Sequence, residues 1–131
     1  MIVIDASALI EALLATGVGA RVRARFFREE VTLQAPHLLD LEIVHVLRRG
    51  CLIGDLRPSR AAEALADLSE LRMVRHPHEP YVPRIWQLRH SFTAYDAAYV
   101  ALAEALESPL ITCDGRLASA HGHRANIELI E

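Results

Sequence analysis

The chain has 131 residues, 52% hydrophobic and 24% charged, the composition of one globular domain long enough to bury a core without disulfides or a structural metal. Its formal charge of −3 at pH 7 gives no general basic attraction to nucleic acid. All fourteen basic residues are arginine, which excludes Schiff-base chemistry, a Walker-type phosphate lysine and a lysine general base. Cys51 and Cys113 form neither a Cys-x-x-Cys motif nor a zinc framework and are expected as free thiols of a reducing compartment. Met1–Asp5 lacks the basic start of a signal peptide, and no apolar stretch reaches the roughly 18 residues of a membrane span. The expectation is a cytoplasmic protein with no membrane segment.

In chain order, Ile2–Ile4 has the apolar, β-branched character of a buried parallel strand. Residues 6–14 repeat apolar side chains at helical spacing up to Gly17 and Gly19. A second helix is expected over about 20–30, with Val22, Phe26 and Phe27 inward. Val31–Leu33 reads as a strand ended by Pro36, and His37–Arg49 as a helix closed by Gly50, with Leu39, Ile43, Val46 and Leu47 as its apolar stripe. A helix from Pro58 to Leu71, a strand over 72–76, a stretch punctuated by Pro77, Pro80 and Pro83, and a short helix near 84–90 carrying Trp86 follow. Residues 94–107 form an amphipathic helix with Tyr95, Tyr99, Leu102 and Leu106 on one face. Strands at 109–112 and 127–130 flank a short helix after Asp114. Strands alternating with helices, joined by connections too long for hairpins, predict a three-layer α/β/α domain with a parallel sheet.

Ligands of such sheets bind outside the carboxyl ends of the strands. Asp5 ends the first strand, Asp114 the fourth, and Asp96 lies in the first turn of the helix at 94–107. Each can be a helix cap. Glu42 cannot, because it lies inside a helix with Leu38, Leu39 and Val46 as turn neighbours, where a carboxylate needs a partner. Together the four acids make an oxygen-rich pocket suited to Mg²⁺ or Mn²⁺, the apparatus of phosphodiester hydrolysis. Ser7 and Thr112, each two residues from an acid, carry hydroxyls able to orient a carboxylate, a water or a phosphate. The pairs His76/His78 and His121/His123 lack a third ligand motif and read as surface histidines.

Val3–Leu9, Pro36–Glu42, Thr93–Ala103 and Leu110–Asp114 together resemble the four acidic motifs of the PIN-domain ribonucleases. Length and motif order resemble the short VapC-type toxins of prokaryotic type II toxin–antitoxin pairs, and the resemblance spans essentially the whole chain, 1–131, as a single PIN domain. Asp5, Glu42, Asp96 and Asp114 match the family's acidic positions one by one, with no departure, and Ser7 matches its small hydroxyl position. The resemblance implies a sheet of about five parallel strands, Mg²⁺- or Mn²⁺-dependent cleavage of RNA, a homodimer, and inhibition by a cognate antitoxin; an arginine inserted by that partner is a natural way to pair with the carboxylates and displace metal. Candidate RNA-backbone contacts are Arg21, Arg25, Arg28, Arg89 and Arg116, with Arg48 and Arg49, since arginine grips phosphate through its bidentate fork. Phe26, Phe27, Trp86 and Phe92 exceed what short flanking helices need and suggest a partner surface.

Three other functions compete. A phospho-acceptor receiver domain needs an acidic pair after the first strand and a lysine near the last, and this chain has neither. A non-catalytic PIN-like module that binds RNA or protein is favoured by loss of one acid, and none is lost. Another metal-dependent phosphoesterase or a DNA nuclease can use the same four carboxylates, and only a substrate test separates it.

Overall fold

The computed structural model describes residues 1–28 and 31–131. The last residues of the helix expected to reach Glu30 fall outside the described residues. The strands are β1 (Ile2–Ile4), β2 (Leu33–Pro36), β3 (Met73–His76), β4 (Leu110–Thr112) and β5 (Ile127–Leu129). The helices are α1 (Ala6–Leu13), α2 (Gly17–Phe26), α3 (Leu38–Leu52), α4 (Pro58–Glu70), α5 (Val82–Gln87), α6 (Ala94–Leu106) and α7 (Gly115–Ala118). All strand pairs are parallel, in the order β3-β2-β1-β4-β5. The order reverses between β1 and β4, the switch point at which open α/β sheets bind ligands.

Ile2, Val3 and Ile4 are almost wholly buried because β1 is the central strand, covered on both faces. α6 packs against β1, β2 and β4. Its alanines at 97, 98, 101 and 103 let it sink so far that every residue from Ala97 to Ala103 is buried. Thr93 starts it by accepting the Asp96 N–H, and Glu107 ends it in the left-handed region at φ 49°. Among the described residues no helix is long and apolar enough to cross a membrane.

Several boundaries differ from the sequence expectation, for identifiable reasons. α2 begins at Gly17, because the Thr16 hydroxyl accepts the Gly19 N–H and caps the helix there. The two glycines lie inside the first turn instead of breaking the chain. α3 runs through Gly50 to Leu52, and the left-handed residue that turns the chain is Gly54, at φ 84°. β2 lies two residues later than expected and includes Pro36, which pairs with His76 at its end. α5 starts at Val82 with Pro83 in its first turn, where a missing N–H costs nothing.

Three residues assigned to apolar stripes stay outside the core, Val46 and Tyr95 of them lining a cleft. Phe27 is 70% exposed, Tyr95 67% and Val46 44%. Of the four surplus aromatics, Phe26 and Phe92 enter the core, whereas Phe27 and Trp86 stay outside, Trp86 stacked under Arg89 at 4.5 Å. Cys51 and Cys113 are free. His76 and His123 are half-buried and hydrogen-bonded, not surface residues: His76 bonds to Gln34, and His123 ties Ala120 to Ala125.

Arginine does the structural work at several seams. Arg23 and Arg60 donate to the Ala12 and Leu13 carbonyls at the end of α1. Arg75 forks onto Asp40 at 2.6 and 2.9 Å, tying β3 to α3. Arg84 forks onto Glu104 at 2.9 Å twice, and the Arg124 N–H adds a third bond to a side chain only 2% exposed. Burial by itself would raise the Glu104 pKa, but these contacts outweigh it and hold the carboxyl below its usual value. Arg84→Ala removes the bidentate fork and leaves that carboxylate only Arg124, so urea melts at pH 7 should show a loss of about 2 kcal/mol. Arg84→Lys, which keeps the charge without the fork, should lose less.

Candidate active site

β1 and β4 end side by side, and each delivers an acid just beyond its last residue. Asp5 caps α1: its Oδ1 accepts from the Ala8 N–H at 2.9 Å and from the Ser7 hydroxyl at 2.7 Å, while Oδ2 accepts from the Thr112 hydroxyl at 2.5 Å. The Ser7 and Thr112 hydroxyls lie 3.2 Å apart. Ser7 also accepts the Cys113 N–H, and Thr112 the Asp114 N–H, both at 3.0 Å. Two side-chain hydroxyls and three backbone N–H groups are thus woven around one carboxylate, and Asp5 is only 6% exposed. Asp114 caps α7 through the Arg116 N–H at 2.9 Å. The bland reading of both acids as caps is therefore correct, and it coexists with their place at the switch point.

α6 and α3 complete the enclosure. Asp96 opens the first turn of α6, and Glu42 projects from the middle of α3. A cleft of about 690 Å³ is lined by all four carboxylates together with Ser7, and by apolar side chains that include Ile10, Leu38 and Val46. Residues up to 109 positions apart in sequence meet here because parallel crossovers return every strand end to the same edge.

Burial pushes the carboxyls of Asp5, Glu42 and Asp96 above their usual range, and the neighbouring negative charges add to the rise. Asp114 goes the other way. Its partial burial is outweighed by Arg116, whose guanidinium bridges Asp114 at 3.1 Å and Asp96 at 3.2 Å. Burial also raises the Cys113 thiol to about 11, so at neutral pH it is a protonated neighbour of the site rather than a nucleophile.

The partner that Glu42 needed is Tyr99, whose hydroxyl donates to Oε1 at 2.5 Å. Sequence reading placed Tyr99 in the core stripe, and its ring is indeed buried at 2% exposure. The overlooked signal is spacing: Tyr99 lies three residues after Asp96, on the same face of α6. His45, three residues after Glu42 on α3, lines the cleft and was likewise missed. Tyr99→Phe keeps the packing but leaves Glu42 half-buried without its donor, so the Glu42 pKa should rise further. Any activity that uses Glu42 as a base should fall about tenfold at pH 7, and the acidic limb of its pH–rate profile should move to higher pH.

The candidate arginines fall in three places. Arg89 and Arg116 line a second cleft of about 450 Å³ that shares Asp96 and Arg116 with the first. Arg21, Arg25 and Arg28 line a separate groove against β5 that shares no lining residue with the acids. There Arg25 is paired with Glu128, and Arg21 donates to the Glu131 carbonyl. Arg48 and Arg49 are exposed on α3 and outside the cleft lining.

The donor set is all oxygen and strongly anionic, which suits a hard divalent cation better than a thiophilic one. Among the described residues no three His, Cys, Asp or Glu side chains stand together as a ready three-ligand group. A cation that keeps several of its waters, as Mg²⁺ does, fits the wider spacing.

The molecule is thus an open α/β domain with an acid-lined cleft at the switch point of a 3-2-1-4-5 parallel sheet. The PIN domain family model matches residues 2–122, and the chain belongs to the PIN domain family. It is 45% identical to ribonuclease VapC1 of Mycobacterium tuberculosis, over 98% of this chain and 96% of that protein. It is also 45% identical to ribonuclease VapC12 of the same species, over 99% of both. Among solved structures, PAE2754 from Pyrobaculum aerophilum superimposes with a TM-score of 0.71 at 23% identity, covering 96% of this chain and 81% of the other. M. tuberculosis VapC20, a sarcin-ricin loop cleaving toxin, gives 0.68 at 14% identity, covering 91% and 94%. These two likenesses concern the fold.

Proposed function

We propose that this chain is an endoribonuclease of VapC type, the toxin of a toxin–antitoxin pair, hydrolysing RNA at the cleft of Asp5, Glu42, Asp96 and Asp114 with Mg²⁺ or Mn²⁺. The single observation that carries the reading is the meeting of four acids from four separate motifs in one cleft at the switch point. Near-full-length identity of 45% to proteins named as VapC ribonucleases supports RNA as substrate and a cognate antitoxin as partner. The same reading takes 1–131 as a single catalytic domain, homodimeric and cytoplasmic, like the expectations drawn from the family.

Asp5, Glu42, Asp96 and Asp114 are the residues that would hold the cation. When bound, Mg²⁺ or Mn²⁺ supplies a Lewis acid that makes water a better nucleophile and offsets charge on the phosphate. The protein's own contribution is arrangement. Ser7 and Thr112 hold Asp5 in one rotamer by donating to both of its oxygens. Tyr99 orients Glu42, whose raised pKa suits it to accept a proton from attacking water. Arg116 and Arg89 offer cationic groups to the phosphates flanking the scissile one.

Purified protein should cleave RNA with Mn²⁺ or Mg²⁺ and stop on chelation. Cleavage of DNA but not RNA would favour the DNA-nuclease alternative, and cleavage of neither would favour a binding module. Co-expression with the product of the adjacent small reading frame should give a co-purifying complex with suppressed nuclease activity.

A further inference from the structure

The side chain of Arg116 has no place in a purely structural account. It is 72% exposed, contributes nothing to the core, and yet spans two carboxylates delivered by different elements, Asp96 from α6 and Asp114 from the end of β4. It is also the one cationic side chain lining both clefts, which meet at Asp96 and Arg116. Asp114 caps α7 by accepting the Arg116 backbone N–H, independently of the guanidinium, so the side chain is free to leave without unwinding α7. Beyond it, the second cleft holds Arg89, held against the Trp86 ring and donating to the Trp86 carbonyl, with His90, Ser91 and Thr93 alongside.

We propose that Arg116 is an exchanging counter-cation: it neutralises Asp96 and Asp114 while the acidic cleft holds no divalent ion, and turns into the second cleft to grip an RNA phosphate when one binds. This rests on the ribonuclease reading and adds a regulation of the same site. A divalent ion and a guanidinium drawn to the same carboxylate oxygens repel each other, so the two compete. Displaced from the acids, the guanidinium still lines the second cleft beside Arg89, where an RNA phosphate would be its new partner. The arrangement keeps the acids from repelling one another in the resting enzyme, makes ion binding weaker than the donor set alone would give, and couples it to the presence of substrate. Arg116 is here a positioning and substrate-gripping residue, not a proton-transfer group.

The test uses Arg116→Gln, which keeps hydrogen-bonding capacity and approximate size without charge, and Arg116→Lys, which keeps the charge. Mn²⁺ alone is titrated into each metal-free protein and followed by the electron paramagnetic resonance of the free ion. Arg116→Gln should bind Mn²⁺ about three- to tenfold more tightly than wild type, as expected for a nearby unit charge removed from a solvent-screened site. Arg116→Lys should stay closer to wild type. With a short single-stranded RNA at saturating Mn²⁺, Arg116→Gln should raise KM more than it lowers kcat. The salt dependence of kcat/KM should become shallower by about one phosphate contact. Unchanged or weaker Mn²⁺ binding in Arg116→Gln overturns the competition. Tighter Mn²⁺ binding with unchanged KM and salt slope overturns the exchange. If wild-type protein cleaves no RNA at all, the ribonuclease reading fails, while the Mn²⁺ titration still decides the competition by itself.

Discussion

Asp5→Asn is expected to lower RNA cleavage by about three orders of magnitude while leaving the fold intact, because it removes a charge that the reaction uses and the fold does not. Asn keeps a carbonyl oxygen for the Ala8 N–H and the Ser7 hydroxyl, and its amide can donate to the Thr112 hydroxyl that formerly donated to Asp5. The ionised Asp5 is itself a burden on stability. Burial raises its pKa, so the native state binds that proton more tightly than the unfolded chain does. The stabilising contribution of the protonated form is complete below the ordinary carboxylate pKa and is lost as pH rises through the raised one. Glu42 and Asp96 act in the same direction. Asp114 and Glu104, whose pKa values are lowered, lose their contribution only as pH falls below the ordinary range. In the window just above the ordinary value of about 4, the metal-free protein should therefore gain stability on acidification. Asp5→Asn should show a smaller gain and, at pH 7, be at least as stable as wild type. Paired denaturant melts at pH 5 and 7, alongside a cleavage assay, check both halves; an unfolded Asp5→Asn protein would mean that Asp5 is structural first.

Gly19→Ala should be the most damaging alanine substitution among the glycines. A Cβ at Gly19 would lie 2.0 Å from the Glu11 carbonyl oxygen and 2.6 Å from its carbon, both backbone atoms of α1 that cannot rotate away. Alanine gains about 1 kcal/mol of helix propensity over glycine, but relieving such an overlap requires α2 to separate from α1. The net loss should be about 3 kcal/mol, or roughly 10 °C in Tm for a domain of this size. Gly17→Ala is the internal control: no atom lies within 4 Å of its Cβ position, so the propensity gain stands unopposed and Tm should hold or rise. Equal effects at the two positions would refute the close-approach account. The loss at Gly19 should be unaffected by divalent ions, unlike any effect at the acidic cleft.

The contrast between the two glycines illustrates what local reading misses. Both looked like punctuation between helices, as glycines usually are. What distinguishes them is the backbone of another helix, which no window along the sequence contains. The same holds for Glu42. Its position inside an apolar helical face signalled an unmet need, but whether arginine, metal or hydroxyl would meet it depended on what α6 brings opposite, and Tyr99 also reads as ordinary core. Val46, Tyr95 and Phe27 kept the helical period and still stayed outside the core. Periodicity defines a face of a helix, whereas the neighbouring element decides how wide a strip of that face is covered.

By itself the sequence determined the parallel α/β architecture, because alternating apolar runs and helical stripes joined by long connections admit little else. It also determined which carboxylates end up near strand ends, since Asp5 and Asp114 follow β1 and β4 directly. Tertiary structure alone decided that Arg116 lies across Asp96 and Asp114. It alone separated Arg21, Arg25 and Arg28, drawn to the β5 groove, from Arg89 and Arg116 beside the acids. The physical reason is one of range. Strand and helix propensities act over a few residues and are written locally, whereas the charge, burial and hydrogen-bond partners of a side chain are set by groups that reach it only after the sheet has brought distant segments to one edge.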